Sequence, residues 1–529
     1  MQEERPAKLP HGRCLADFED LSAAEKRLVE CCAAGEVWEP EDWDGTRPDE
    51  DARNDANTIR AGLIRFLALG GDTRNPVHEA GVAVHGAWID GMLDLHQCTA
   101  PAQLQLENCH FDREPGFIAA TIPQLSLSGS RVPGLTADGL HVNGDVFLIS
   151  GFEARGEVRL LGAKIGGDLS CRGGQFHNED AKALNADRLD VTGSVFLNAD
   201  FEAHGEVRLL GAKIGGDLEC GEGKFCNKDR DAFLAQSLCL TGALVLRDTT
   251  VDGAIILTAA KIGTLVDDPV CWNGGSHFLD GFGYDRIIGT MDSDHRIAWL
   301  RSQHASELDG AGFSPQPWEQ LAKVLREMGH SGEAADIAMA KQDQMRRAGR
   351  IGQRKVHDGY NGLRRTIDAG WAWTSNRLAR GWHWVYGKLS GYGYRPQRIV
   401  YFMVAATLLC AIAYGLGARA GLIGPSNALV NLHSELDHCG PGKFNWTSAD
   451  CAVPPEYSTF QPVAYSLDLI IPLVDLHQEA DWGPIVVDDN GRTLGWGQAI
   501  RLLVWIEILF GWFASLMFVA IVTRLVDRD

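Results

Sequence analysis

The chain changes rhythm three times when it is read for apolar and polar positions. From Val82 to about Leu265 the alternation is short: segments such as LQLENCHF, LSLSGSRVPGL and GLHVNGDVFL alternate over two to four residues, then meet glycine or another small residue. A new segment starts every 10–12 residues, which leaves no room for a helix. Two identical 14-residue copies of GEVRLLGAKIGGDL, Gly156–Leu169 and Gly205–Leu218, lie 49 positions apart. A period of two marks strands, and strand–corner–strand units in tandem mark a solenoid rather than a closed barrel. The inward residues are expected to be Val158, Leu160, Ile165 and Leu169, stacking on Val207, Leu209, Ile214 and Leu218. Glycine is expected at the corners, where positive φ is needed.

Helical spacing takes over on both sides. Ser22 leads into a helix-forming run, and Asn57–Leu69 carries apolar residues at helical intervals. After the strand region, His295–Leu308, Pro317–Gly329 and Gly332–Gly349 read as helices, the last two as a hairpin. Such helices suit the ends of a solenoid, whose open edges need covering.

The third rhythm is continuous apolarity. Ile399–Leu416 and Ile500–Val526 are each long enough to cross a hydrocarbon layer about 30 Å thick. Between them, Phe460–Ala480 (FQPVAYSLDLIIPLVDLHQEA) is too short and charged to span, yet too apolar for an ordinary loop.

Composition alone hides the spans: the 529 residues carry a net charge of −21 and a hydrophobic fraction of 45 %. The distribution of charge restores them. Residues 341–398 hold 13 Lys/Arg against three acids, whereas residues 419–497 hold three basic against ten acidic residues. By the positive-inside rule the basic stretch is cytoplasmic and the acidic connector faces out. Both termini are then cytoplasmic, in a multi-pass protein of the inner cell membrane. The first 30 residues have no apolar core, so the first span is expected to serve as the insertion signal. Residues 1–340 keep a net −24, a field suited to a basic partner or a bound cation.

Residues 354–398 mix Trp371, Trp373, Trp382, Trp384, Tyr386, Tyr392 and Tyr394 with Arg and Lys. Aromatic and cationic side chains together suit a headgroup layer, so one or two helices lying on the lipid bilayer are expected. Nucleic acid is the other ligand for such a composition, and the adjacent span argues against it. Of 13 cysteines, only Cys439 and Cys451 fall in the outer connector, where a disulfide is expected. The other eleven show no metal-ligand spacing.

Two family resemblances follow. The strand repeats resemble the pentapeptide-like β-helices of bacteria, without a strict five-residue period. YSLDLIIPLVDLHQEADW (Tyr465–Trp482) and EILFGWFASLMFVAIVTR (Glu507–Arg524) resemble the two-transmembrane, pore-loop, potassium-channel-like ion channels. That family implies an outer helix, a re-entrant pore helix and an inner helix assembled as a homotetramer around an ion path. The filter sequence departs from it: Leu473-Val474-Asp475-Leu476-His477 stands where a TVGYG-like run belongs, which argues against potassium selectivity. The one Gly-Tyr-Gly, at 391–393, precedes the first span and reads as a turn. In a symmetric assembly Asp475 and Glu479, with Asp481 nearby, would form acidic rings favouring cations, and His477 beside them could add pH sensitivity. Asp468 lies inside the apolar helix and is a candidate site residue on grounds of cost. On the inner helix, Glu507 is expected either to hydrogen-bond behind the pore helix, the favoured reading, or to face the water path, and Gly511 and Ser515 suit close packing. Arg501 is expected at the outer interface.

The expected organisation is a multi-domain membrane protein, a cytoplasmic right-handed parallel β-helix with helical caps followed by an α-helical two-span pore-loop domain. Its parts are a helical cap (1–78), solenoid (79–268), helical hairpin region (269–350), membrane-surface helices (351–398), outer helix (399–418), outer connector with pore helix at about 458–476 (419–497), and inner helix with tail (498–529). No GxSxG, GxxxxGK[ST] or HExxH occurs, so no enzyme, cofactor or metal is expected. The expected function is an oligomeric cation channel whose solenoid senses a ligand or binds a protein. The alternative is a membrane-anchored scaffold that conducts nothing.

Overall fold

In the computed structural model the described residues are 13–353, 363–427, 457–487 and 492–526, with 430, 438–440, 443, 445–448, 450, 451 and 453 between them. The chain divides into two units, Met1–Arg350 and Ile351–Asp529. The expected start of the membrane-surface segment (354–362) and end of the tail (527–529) lie outside the described residues.

The first unit is a β-solenoid. Strands pair in parallel with the coil before and the coil after: Val82 with Leu104, Leu104 with Leu125, Leu125 with Val146, Val146 with Leu169. The same column runs on through Val195, Leu218, Leu244 and Leu265 to Ile287. Three further columns complete each coil, so a coil has four short faces. Examples are Ala154 on Phe176, Val158 on Leu184, and Ile165 on Val191. Most faces are two-residue strands, because two residues are all a face can hold before the next corner. From Pro115 to Val142 the buried positions come in pairs that recur every five residues. Elsewhere the corners carry extra residues: Leu125 to Val146 is 21 positions, Leu169 to Val195 is 26.

Coil length changes the expected stack. The two GEVRLLGAKIGGDL copies do not touch; an intervening coil separates them. Val158 pairs with Leu184, and Leu184 with Val207. Ile165 reaches Ile214 through Val191, and Leu169 reaches Leu218 through Val195. All of these residues are buried, as expected of inward positions, and each contributes on the order of 1.5–3 kcal/mol through removal from water. Phe152, Phe176, Phe201 and Phe225 form a further ladder, with centroids 5.5, 5.1 and 5.5 Å apart.

The corner glycines act in two ways. Gly162 and the equivalent Gly211 have φ +63°, where a side chain is strained. Gly166 and Gly215 instead lie against the previous coil: a Cβ would meet the Asn143 carbonyl oxygen at 2.2 Å and the Thr192 carbonyl oxygen at 2.3 Å. Beside them Asp168 accepts from the Ser194 backbone N–H at 2.7 Å and Asp217 from that of Ala243 at 2.7 Å. The repeated GGD is therefore a corner in which coils touch backbone to backbone.

Both ends are covered. Ser22 caps helix α1 (Ala23–Ala34) by accepting from the Glu25 N–H. The expected helix from Asn57 is shorter: Thr58–Arg60 is a strand paired with Trp88–Asp90, and helix α2 holds only Ala61–Ala68. An open sheet edge there satisfies backbone groups that a first helical turn would leave unpaired. Arg60 binds the buried Glu25 at 2.7 Å and ties strand to cap. At the far end the solenoid runs one coil past the expected limit, through His277–Phe278 and Gly283–Ile288. Pro269 and the Asn273-Gly274-Gly275 run hide that coil in the sequence. Helices α3 (Ser293–Arg301), α4 (Ala305–Leu308), α5 (Gln316–Glu327) and α6 (Ser331–Arg347) follow. The fully buried Arg296–Asp267 pair, bonded at 2.7 and 2.8 Å, pins α3 to the last coils.

The corner contact is testable. Gly215→Ala is expected to lower stability by roughly 1–3 kcal/mol in denaturant melts, because two backbones must separate. Gly283→Ala, whose Cβ would have nothing within 4 Å, is expected to change it by less than about 0.5 kcal/mol. Equal effects would refute the close-approach account.

Candidate functional site

The second unit holds helix α7 (Leu363–Ser390), α8 (Gln397–Arg419), α9 (Pro462–Ile470), α10 (Gln478–Asp481) and α11 (Gly495–Val526). Among the described residues, only α8 and α11 are long and apolar enough to cross a membrane. At 1.5 Å per residue α8 is about 34 Å long, whereas the nine residues of α9 reach only about 13 Å. The half-length helix is shorter than the expected 458–476 because Pro462 starts it and Pro472 follows its end. Gly391-Tyr392-Gly393 is a turn between α7 and α8, with Tyr392 at φ +56°.

One carboxylate gathers three helices. Glu507 on α11 is 3 % exposed. It accepts from the Tyr414 hydroxyl of α8 at 2.6 Å and, through its other oxygen, from the Ser466 hydroxyl of α9. A carboxylate in apolar surroundings is costly unless its oxygens are bonded, and here both are. Glu507 thus lies against the short helix, bonded to it through Ser466. Its two partners went unnoticed in the sequence, although a hydroxyl inside each apolar helix was the available signal. One turn further along α11, Gly511 admits the end of α9: a Cβ would meet the Ile470 carbonyl oxygen at 2.1 Å. Of the two small residues expected to pack closely, Gly511 does so and Ser515 is half-buried, and the neighbouring Ala514 is buried as well.

Asp468, at the end of α9, is also buried, and both its oxygens are engaged. They accept from the backbone N–H of Leu476 at 2.6 Å and of Glu479 at 2.8 Å. Asp468 therefore holds the loop that follows the helix instead of lining free space. That loop exposes its side chains: Leu473 is 93 % exposed, Val474 42 % and Leu476 41 %. His477 takes φ +57°, and its ring lies 3.4 Å from the Asp475 carboxylate, both groups well exposed. Burial first, then the charges of Asp468 and Asp475, push the Glu479 carboxyl above its usual range. Asp481 is turned away from this group; its carboxylate accepts from the Ser458 N–H and hydroxyl, each at 2.8 Å.

The rest of the connector braces the loop. Ile423–Pro425 pairs antiparallel with Trp482–Pro484. Tyr414, Tyr465, Phe460 and Trp482 pack ring to ring, 5.0 to 5.5 Å between centroids. Cys439 and Cys451 are joined in a disulfide and pack with Trp446 and Ile423. Arg501 is exposed, its guanidinium 3.5 Å from the Pro484 carbonyl oxygen. Helix α7 is a single helix whose Trp371, Trp373, Trp382 and Trp384 are exposed, with Arg377 stacked 4.4 Å over Trp373.

Geometrically the arrangement is a short helix wedged between two long ones, ending in a loop that exposes the Asp475, His477 and Glu479 side chains. Glu507→Leu leaves the Tyr414 hydroxyl buried without an acceptor and the Ser466 hydroxyl with only the Thr407 carbonyl oxygen at 3.1 Å, and is expected to destabilise the unit by roughly 1–3 kcal/mol. Glu507→Gln keeps an acceptor and is expected to cost under half of that. Thermal unfolding in detergent measures both; equal losses would contradict the linchpin role. Comparison with family models, curated proteins and solved structures finds no match to this chain, so its function is read from its own residues.

Proposed function

We propose that the second unit is the pore-loop module of an oligomeric, cation-permeable membrane channel. The observation that carries this reading is α9 with its Asp468-tied loop, held between two span-length helices by Glu507. A half-length helix that ends in an extended loop is the way chain enters a bilayer and returns without leaving backbone groups in lipid. A single copy encloses no path. The apolar tip formed by Leu473, Val474 and Leu476 is exposed in the single chain, and packing around a symmetry axis would cover it. The same axis would turn Asp475 and Glu479 into acidic rings that concentrate cations. A tetramer is the assembly that the pore-loop resemblance implies.

The charge pattern supports a reading in which residues 1–398 and the C-terminus are cytoplasmic and the acidic connector lies outside the inner cell membrane. The disulfide fits an oxidising exterior. Helix α7, with exposed tryptophans among arginines, suits the cytoplasmic headgroup layer. The solenoid would serve as a cytoplasmic sensing or scaffolding domain.

Recording from the purified protein in a planar bilayer under a salt gradient tests the proposal. Expected are discrete openings with a reversal potential on the cation side. Asp475→Asn and Glu479→Gln are expected to lower the conductance and shift the reversal toward zero selectivity. A silent bilayer from a verified assembly would favour the non-conducting, membrane-anchored scaffold instead.

A further inference from the structure

The end of the solenoid contains a cavity of about 320 Å³ where the last coils meet α3. Its walls are largely apolar. Trp272, from the corner after Asp267, and Trp299, from α3, contribute indole rings 5.2 Å apart and tilted by 46°. A dry cavity of about 150 Å³ accepts a benzene ring, and small-molecule sites begin at about 300 Å³. The space therefore suits one substituted aromatic ring or a small bicycle.

The polar groups in the wall are donors with bonds to spare. Trp272 spends its indole N–H on Asp267 at 2.8 Å. Trp299 is 6 % exposed, and its indole nitrogen has no partner. Arg296, 4 % exposed, uses Nε on the Thr290 carbonyl oxygen and one N–H from each terminal nitrogen on Asp267. A guanidinium has five N–H groups, so two remain. The neighbouring Asp268 is occupied as an acceptor for the backbone N–H groups of Asp248, Val270 and Cys271. Behind Trp272, at 5.1 Å between ring centroids, His277 is wholly buried with both ring nitrogens unpartnered. Buried donors without acceptors are rare in folded proteins, and the spare N–H groups of Arg296, which lines the cavity beside the two indoles, ask for an acceptor from outside.

We propose that this cavity is a binding site for a small planar aromatic molecule bearing an acceptor oxygen, a carboxylate or an amide. The ring lies against the two indoles, and the oxygen accepts from the free N–H groups of Arg296. The site belongs to the first unit alone and stands whether or not the second unit conducts.

Calorimetric titration of the full chain with benzoate, benzamide and benzylammonium tests this. Benzoate and benzamide are expected to bind once per chain, with benzylammonium, which carries donors only, at least tenfold weaker. Ala298, an exposed residue at the cavity wall, gives the occluding variant Ala298→Phe, expected to abolish binding without loss of fold. Trp299→Leu removes one of the two indole walls and is expected to weaken benzoate about tenfold, the effect of one aromatic pair. The site is refuted if neither oxygen-bearing probe binds, if benzylammonium binds as well as benzamide, or if Ala298→Phe leaves binding unchanged while circular dichroism shows a native fold.

Discussion

A carboxylate buried among apolar helices must find partners, and in the second unit that requirement fixes the architecture. Glu507 can stay where it is only because α8 offers the Tyr414 hydroxyl and α9 offers that of Ser466. Each bond fixes one helix relative to α11, so the half-length helix has one depth and one rotation at which the group is satisfied. Gly511 then lets the end of α9 come within backbone contact of α11. From that fixed end, Asp468 reaches forward to two backbone N–H groups and sets the path of the loop. The exposed carboxylates of Asp475 and Glu479 thus inherit their position from a buried one on another helix.

The first unit depends on a different constraint, the distance between coils. Parallel strands in adjacent coils must approach to backbone contact at every corner. The chain meets this with glycine where a Cβ would strike a carbonyl, as at Gly166 and Gly215, and with Asp168 and Asp217 where a backbone N–H needs an acceptor. Inside, apolar residues continue from coil to coil until the last ones, where His277 and Tyr284 take their columns. The break in apolarity coincides with the seam to α3, where the buried Asp267–Arg296 pair and the tryptophan-walled cavity lie.

Much of this was legible in the chain. Alternation over two to four residues marked the strands, the 49-residue echo marked repetition, and unbroken apolarity marked α8 and α11. Local pattern could not supply register. The echo spans two coils, because the coil holding Leu184, Val191 and Val195 is spelled differently while burying equivalent positions. Helical spacing after Asn57 lost to the open sheet edge beside Trp88. The cost of burying Glu507 and Asp468 could be read from their apolar surroundings, but not the identity of their partners. Tyr414 lies 93 positions from Glu507, and Leu476 and Glu479 bond through backbone groups that no side-chain pattern reveals.

A pore built from this unit exists only if copies close around an axis and bury Leu473, Val474 and Leu476. Native mass spectrometry of the full chain released from detergent micelles asks that question most directly. The account predicts a closed assembly, four copies by preference, dissociated by charge placed at the tip as in Leu473→Asp. A monomer retained across detergents, with Glu507 and the fold intact, would contradict it.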